Sequence, residues 1–395
     1  MKAQPFKIEI SDTQLDDLKQ RLKLTNWPDD LTDDWWYGVP ASYLKELVDY
    51  WINSYDWKIH EQQMNTFNNY MVEIEGNPIH FIHERGKGPN PIPLILSHGW
   101  PWTFWDLNEV IGPLSDPASH GGNPEDAFDV VVPSLPGFAF SSPMQEKGMN
   151  FWRTADIWQQ LMTEVLGYKK FGAQGGDWGA LVTTQLGHKY ADHLIGIHLT
   201  NAIPLTLFHG ERPWILGDKA PWDIADEAQR KKVIAQAKTR QGHVVAHILD
   251  PQTLSYAMHD SPVGLCAWIL ERRRNWSDCD GDVEKKFSKD HLITTMMLYW
   301  LTNTFVTSVR YYAEAAWNRW SPSHDQTPIV QAPTGISFFK DSVETAQAAE
   351  QARSAAAESF NLHYSNFWPS GGHFSPKEEP QAVIEDIRAT FRELR

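Results

Sequence analysis

Asp177 lies in a glycine-rich turn that has the features of a site for nucleophilic attack. Residues 175–179 read Gly-Gly-Asp-Trp-Gly; they follow a short apolar run, 171–173, and precede a helix-prone stretch, 180–189. In such a strand–turn–helix context, glycines permit a sharp turn that holds the central side chain at the tip of a sheet. The positive end of the following helix stabilises negative charge at that point. Asp177 is therefore a candidate nucleophile, and capping of the helix is the alternative role.

Three other polar motifs each come directly after a predicted strand. Residues 98–101 read His-Gly-Trp-Pro, Asp341 follows a strand, and residues 371–374 read Gly-Gly-His-Phe. Because parallel strands end at one edge of a sheet, these motifs and Asp177 are expected at the same edge. The chain order is nucleophile, acid, histidine, which is the order of the catalytic triad in the α/β-hydrolase fold. We predict that His373 acts as the base and that Asp341 orients it.

A carboxylate nucleophile limits the reactions that this site can perform. Asp177 is ionised at pH 7 and needs no base for its attack. Attack on an ester carbonyl would give only a reactive anhydride, whereas attack on an sp³ carbon with a good leaving group gives an ordinary ester. His373 and water can hydrolyse that ester, and the backbone N–H groups of Trp100 and Trp178 are expected to form the oxyanion hole. His98 is predicted to hold the oxyanion turn.

This chemistry indicates an electrophilic substrate such as an epoxide or an alkyl halide. A halide leaves as an anion and needs N–H donors. An epoxide oxygen leaves as an alkoxide and needs an acid, for which tyrosine is the natural residue.

Alternating strands and helices must position these residues. Strands are predicted at 70–75, 79–84, 94–97, 129–132, 169–173, 194–199, 333–339 and 361–367. The fold class is therefore α/β, with a mostly parallel sheet and helices on both faces. We predict a helical N-terminal arm, the two parts of an α/β-hydrolase core, and a helical cap between those parts that projects over the site edge of the sheet. In chain order the segments are the arm at 1–70, the core at 71–203, the cap at 204–321 and the core at 322–395.

The composition excludes several classes of protein. The 395 residues carry a formal net charge of −15, which argues against a nucleic-acid partner. The two cysteines, Cys266 and Cys279, cannot build a disulfide framework, and the histidines show no metal-ligand spacing, so no metal is assigned. No leader pattern or membrane-spanning run is recognised, so a cytosolic protein is expected. The 19 tryptophans suggest aromatic walls around an apolar ligand, and Trp102 and Phe138 are predicted to bind substrate.

Several motifs resemble those of epoxide hydrolases of the microsomal type, over essentially the whole chain. The stretches 5–8 and 57–61 are similar to that family's N-terminal region, and its motifs are matched at 98–101, 175–179, 260–265 and 371–374. The resemblance implies a cofactor-independent enzyme that converts a lipophilic epoxide and water to a vicinal diol through an ester on Asp177. Related enzymes are often dimers, so the resemblance extends to a homodimer but does not determine the oligomeric state.

The sequence departs from the family pattern after the strand that bears the acid. Members usually have Phe-Pro-x-Asp/Glu there, whereas residues 338–341 read Phe-Phe-Lys-Asp. Asp341 is our choice for the acid, and Glu344 is the alternative.

The cap departs from the pattern at one of two tyrosines that hold and protonate the epoxide oxygen in the family. One corresponds to Tyr312; the other position, after Gly242, is His243, and Tyr256 nearby is a candidate substitute. A protonated His243 would donate a proton more readily than tyrosine, and activity would then fall as the pH rises. Packing alone is the alternative role for Tyr312.

Two other functions compete with epoxide hydrolysis at this point. A dehalogenase on the same fold would use the same nucleophile, with the indole N–H of Trp178 binding the halide. A binding protein without turnover is suggested by His243 and the missing proline.

The run 271–274, Glu-Arg-Arg-Arg, is interpreted as a solvated or salt-bridged helix end.

Overall fold

Nine strands form one sheet in the part of the chain that the computed structural model describes, residues 2–144, 146–200, 202–209, 224–240 and 242–395. The strands are β1 (Gln4–Pro5), β2 (Asn69–Ile74), β3 (Asn77–Glu84), β4 (Ile92–Ser97), β5 (Phe128–Pro133), β6 (Phe171–Gly175), β7 (Leu194–Leu199), β8 (Val330–Phe339) and β9 (Phe360–Trp368). Each predicted strand is present, and only the two-residue β1 was not predicted.

The sheet is mostly parallel, as predicted. Its order is β1-β2-β3-β5-β4-β6-β7-β8-β9, with β1, β2, β3 and β5 pairing antiparallel and the remaining neighbours parallel. The chain passes from β4 to β5 on one side and returns to β6 on the other. The sheet therefore has a topological switch point at the carboxyl end of β4, where clefts form in folds of this kind.

Fifteen α-helices surround the sheet in the described part of the chain. They are α1 (Asp12–Lys23), α2 (Ala41–Asn53), α3 (Trp57–Met64), α4 (Asn108–Ser115), α5 (Phe151–Gln160), α6 (Trp178–Lys189), α7 (Glu227–Arg240), α8 (Gly242–Leu249), α9 (Pro251–Asp260), α10 (Pro262–Trp276), α11 (Lys289–Leu301), α12 (Phe305–Trp317), α13 (Ala346–Ala356), α14 (Ser375–Glu378) and α15 (Pro380–Arg392). The α/β class predicted from the strand–helix alternation is confirmed.

Six helices, α7 to α12, follow one another between β7 and β8, in the segment predicted as the cap. Of that segment, residues 210–223 and 241 lie outside the described residues. The N-terminal helices pack on this group: the Tyr55 hydroxyl lies 3.0 Å from Thr294 Oγ1, and the Tyr50 hydroxyl donates to Asp290 at 2.8 Å. The predicted N-terminal arm therefore contacts the helices between β7 and β8, while the domain boundaries themselves stay predictions.

A buried ion pair joins α10 to the loop after β4. Arg273 and Asp106 are both almost completely buried; Arg273 Nη2 donates to Asp106 Oδ2 at 2.9 Å and to the carbonyl oxygen of Pro101 at 3.1 Å. Burial alone would raise the pKa of Asp106, but the positive charge of Arg273 and the hydrogen bond with His291 hold it well below its usual range. Of the two interpretations of this helix end, solvated or salt-bridged, the salt-bridged one holds for Arg273, because its guanidinium is buried against the Asp106 carboxylate.

No helix in the described ranges combines the length and the apolar character needed to cross a bilayer. The cytosolic location stays a prediction.

Replacing Arg273 with methionine leaves the Asp106 carboxylate buried without its main counter-charge. We expect the free energy of unfolding, measured by urea denaturation, to fall by about 3–5 kcal/mol. Lys7→Met, which removes an exposed pair with Glu9, should leave it nearly unchanged. Equal stability of Arg273→Met and the wild type would contradict the role given to this ion pair.

Candidate active site

Asp177 occupies a strained turn between β6 and α6. Its backbone has φ 54° and ψ −125°, a region that residues with a side chain rarely adopt. The neighbouring chain approaches so closely that a Cβ atom on Gly99 would overlap the Asp177 carboxyl group, and one on Gly179 would overlap the carbonyl group of Ser97. The glycines predicted to permit the turn therefore also allow the loop after β4 to reach the carboxylate.

Three groups surround the Asp177 carboxylate. The backbone N–H of Trp100 donates to Oδ1 at 2.7 Å, the backbone N–H of Trp178 is a further donor, and His373 Nε2 lies 3.3 Å from Oδ2. Burial acts to raise the pKa of Asp177, but His373 and the two N–H groups outweigh it, so this pKa is lowered. The carboxylate is therefore ionised, with Oδ1 at the Trp100 N–H and Oδ2 facing the imidazole.

His373 is held within an aromatic setting next to the carboxylate. Its ring meets Trp102 edge to face at a centroid distance of 5.6 Å and Trp276 at 5.1 Å. Burial alone would lower the pKa of His373, but the hydrogen bond and charge of Asp177, with smaller contributions from Asp341 and Glu378, raise it. The resting site therefore favours an imidazolium–carboxylate pair.

Both candidates for the third member line the same cavity. Asp341 follows β8, and its backbone N–H donates to the Gly371 carbonyl oxygen at 3.3 Å, which joins it to the His373 loop. Its negative charge is among those that raise the pKa of His373, whereas Glu344 is not among those charges. This difference favours Asp341, although the assignment stays a prediction.

The carboxylate and the imidazole open into a cavity of about 1030 Å³. Among the described residues, one part of the cavity wall is apolar. Another part is polar and is formed by residues at and just after the ends of α10 and β8. The apolar residues include Leu181, Ile203, Phe208, Val244 and Ile248, and the polar ones include Asn275, Ser277, Asp278, Lys340 and Ser342. The site therefore offers an apolar surface beside the nucleophile.

Tyr312 on α12 and His243 on α8 are among the polar side chains of the cap that line this cavity. The Tyr312 ring meets the Trp178 ring edge to face at 4.7 Å, and His243 stacks on Trp100 at 5.5 Å. Burial, followed by the negative charge of Asp177, raises the pKa of Tyr312 well above its usual range. Tyr312 is therefore protonated and available as a hydrogen-bond donor.

The structure corrects the expected charge of His243. Burial, with the positive charge of Arg272 second, lowers the pKa of His243 to about 3 even though Asp177 acts in the opposite direction. The imidazole is therefore neutral near pH 7, and the predicted loss of activity through its deprotonation at rising pH does not follow. Tyr256 cannot replace it, because that side chain is 72% exposed and is not among the described residues around the cavity.

Three aromatic residues near the site act through packing or backbone support. Trp102 and Phe138 are fully buried and are not among the described residues that line the cavity. The structure thus does not bring them to a ligand position, since Trp102 packs against His373 and Phe138 against His98. His98 accepts a hydrogen bond from the Leu135 N–H at 3.0 Å and lies 3.0 Å from the Gly99 carbonyl oxygen, while its role in holding an oxyanion turn stays a prediction.

Sequence reasoning missed the residues that fix the His373 loop. The His373 N–H donates to the Trp276 carbonyl oxygen at 2.7 Å, and Glu378 accepts the N–H of Phe374 at 2.9 Å. A glutamate five residues after the candidate base was a weak signal. The contact with Trp276 had no signal, because the two residues are far apart in the chain.

Two family profiles match parts of this chain. Residues 3–107 match the family profile "Epoxide hydrolase N terminus", and residues 92–249 match the profile "alpha/beta hydrolase fold". The first profile covers the arm and the loop with the oxyanion turn. The second covers the turn with Asp177.

Individual relatives extend the similarity over the full chain. A Stigmatella aurantiaca protein provisionally named epoxide hydrolase is 40% identical, over 99% of this chain and 85% of its own length. Epoxide hydrolase 1 of Oryctolagus cuniculus is 35% identical, over 97% and 87%. The crystal structure of juvenile hormone epoxide hydrolase from the silkworm Bombyx mori matches with a TM-score of 0.80 and 27% identity, over 100% of this chain and 94% of that chain. The resemblance predicted from the motifs is thus confirmed, and this chain, a hydrolase with the α/β-hydrolase fold, belongs to the epoxide hydrolase family.

Proposed function

We propose that this enzyme opens a lipophilic epoxide to a vicinal diol through a covalent ester on Asp177. The observation that carries the proposal is that the two oxygens of the Asp177 carboxylate have different partners. Oδ1 accepts the Trp100 N–H, and Oδ2 faces His373 at the cavity. Such an arrangement suits attack by Oδ2 and later stabilisation of negative charge on Oδ1.

In the first step, Oδ2 attacks an epoxide carbon and the carbon–oxygen bond of the ring breaks. Tyr312 donates its proton to the leaving oxygen, and neutral His243 offers a second N–H donor. The Asp177 charge is one cause of the raised pKa of Tyr312. Because the attack consumes that charge, the Tyr312 hydroxyl becomes a stronger acid while the ester forms.

In the second step, His373 takes a proton from water, and the hydroxide attacks Cγ of the ester. The hydrogen bond and charge of Asp177 raise the pKa of His373 in the resting enzyme. An ester carries no such charge, so the pKa of His373 falls and the imidazole becomes neutral, as a base requires. The proton then passes from His373 to the diol oxygen as the ester bond breaks, and Asp341 stabilises the transient imidazolium. Ester cleavage leaves Asp177 as a carboxylic acid, which releases its proton to solvent. Tyr312 regains the proton that it gave to the epoxide oxygen, and His373 regains the one that it lost to solvent when the ester formed.

The apolar wall supports a lipophilic substrate. The cavity volume of about 1030 Å³ lies at the upper end of the range for small-molecule sites, which leaves space for a bulky substituent on the epoxide. A homodimer stays a prediction from the resemblance.

A His373→Gln variant should accumulate the ester, because the first step needs no base. We expect the intact-protein mass to increase by the mass of the epoxide after mixing with aryl or alkyl epoxides. The double variant Asp177→Asn, His373→Gln should show no increase. An adduct with haloalkanes but with no epoxide would instead identify a dehalogenase, and no adduct with either would contradict the covalent route.

Removal of the cap donors should slow ester formation rather than ester hydrolysis. Tyr312→Phe keeps the ring and removes the proton, so we expect a loss of about 10²–10⁴-fold in the alkylation rate. His243→Phe should reduce the same rate by a smaller factor, while His243→Tyr, which supplies a hydroxyl donor, should retain it. Rapid-quench mass spectrometry of single turnovers measures both steps, and an unchanged alkylation rate in Tyr312→Phe would refute its role as the acid.

The two steps should differ in their dependence on pH. The pKa of Asp177 is lowered, so the nucleophile stays ionised and ester formation should vary little between about pH 5 and pH 8. Ester hydrolysis needs neutral His373, so its rate should fall as the pH decreases through the His373 pKa of the intermediate. Single-turnover rates across this range provide the check; acid-sensitive formation with pH-independent hydrolysis would contradict the assignment.

A further inference from the structure

Glu378 is a buried carboxylate that the reaction steps above do not use. It ends the short helix α14, five residues after His373, and is 7% exposed. Its Oε1 accepts the Phe374 N–H at 2.9 Å, and its Oε2 accepts the Asp278 N–H at 2.7 Å. One carboxylate thus binds two segments that are almost 100 residues apart in the chain.

These two segments enclose the backbone of His373. Phe374 is the next residue in the loop, and Asp278 lies where the chain leaves α10 of the cap. Two further bonds join the same segments: the His373 N–H donates to the Trp276 carbonyl oxygen at 2.7 Å, and the Gly371 N–H donates to Asp278 Oδ2 at 3.1 Å. Glu378 is therefore one of three links that fix the candidate base against the cap.

Several charged groups act on Glu378. Burial raises its pKa to about 7; the charge of Asp341, after β8, also raises this pKa, while Lys286 and the two N–H groups lower it. Lys286 Nζ pairs with Glu379 Oε1 at 2.7 Å, and Lys340 Nζ pairs with Asp278 Oδ1 at 2.6 Å. Neither lysine forms an ion pair with Glu378, so burial of its charge is only partly compensated.

We propose that Glu378 is a positioning residue for ester hydrolysis, whose ionised carboxylate holds the His373 loop against the cap so that Nε2 can reach water. The inference rests on the proposed function. An ionised carboxylate can accept both N–H groups, whereas a protonated carboxyl group or an amide points a hydrogen at one of them. Protonation of Glu378, or its replacement by glutamine, therefore removes one of the two hydrogen bonds by which Glu378 joins the loop to the cap.

Ester hydrolysis is the step that this arrangement affects. The Asp177 attack depends on Asp177 and the cap donors, whereas the Glu378 carboxylate accepts the N–H groups of Phe374 and Asp278. Water activation depends on the position of the His373 imidazole, and small displacements of a catalytic group cost large factors in rate. The negative charge of Glu378 also stabilises the His373 imidazolium, because it is among the charges that raise the pKa of His373.

The test compares Glu378→Gln with wild type in single turnovers of styrene oxide, followed by rapid-quench mass spectrometry. We expect ester decay to slow by at least about tenfold, because a shift of roughly 1 Å can cost about 10²-fold, while ester formation is unchanged. Glu379→Gln is the matched control, since it makes the same chemical change one residue away, at a carboxylate that accepts from Lys286 rather than from an N–H of the loop. Both rates should be unchanged in this control.

The pH profile adds a readout that a general loss of stability would not produce. Wild-type ester decay depends on two deprotonations, of Glu378 and His373. The rate should therefore fall below the Glu378 pKa of about 7, and twice as steeply once the pH is also below the His373 pKa of the intermediate. Glu378→Gln should show the shallower slope of one ionisation. Because the folded state raises the pKa of Glu378, its ionisation opposes folding, and the wild type loses stability as Glu378 ionises with rising pH. Glu378→Gln has no such ionisation, so its thermal midpoint minus that of the wild type should increase with pH.

Unchanged ester decay in Glu378→Gln, or equal slowing of formation and decay, would overturn the positioning role. A pH slope identical to that of wild type would do the same. Absence of an ester in His373→Gln as well would overturn the proposed function, and this inference with it.

Discussion

The Asp177 carboxylate has to stay ionised while it is largely removed from water, and the site is built around that requirement. Burial of a charge is costly unless hydrogen bonds and an opposite charge compensate it. Here the N–H groups of Trp100 and Trp178 and the imidazole of His373 provide that compensation. The strained turn and the close approach of Gly99 follow from it, because only that geometry brings two backbone donors to one carboxylate.

The same charge connects the two steps of the proposed reaction. While it is present, it raises the pKa of both His373 and Tyr312. Once it is consumed in an ester bond, both groups become more acidic, which suits a proton donor in the first step and a neutral base in the second. A covalent bond at one residue thereby changes the protonation chemistry of two others, with no conformational change required.

Helix α10 of the cap supports the site from two directions. Arg273 reaches the Pro101 carbonyl oxygen next to Trp100, and the chain after Trp276 holds the His373 loop. The N-terminal helices pack on α10 and α11, so the arm supports the helix that contacts both the loop after β4 and the candidate base. This arrangement gives the N-terminal region a structural reason to accompany the catalytic fold.

The sequence alone determined the strands, the mostly parallel character of the sheet and the turn with Asp177, because strand patterns and glycine-rich turns are local signals. It also determined the family through short motifs. It could not reveal that His243 is neutral, that Tyr256 faces solvent or that Glu378 links loop and cap. Burial, charge and pairing depend on side chains from distant segments, and only the packing of cap, arm and core decided which of them meet.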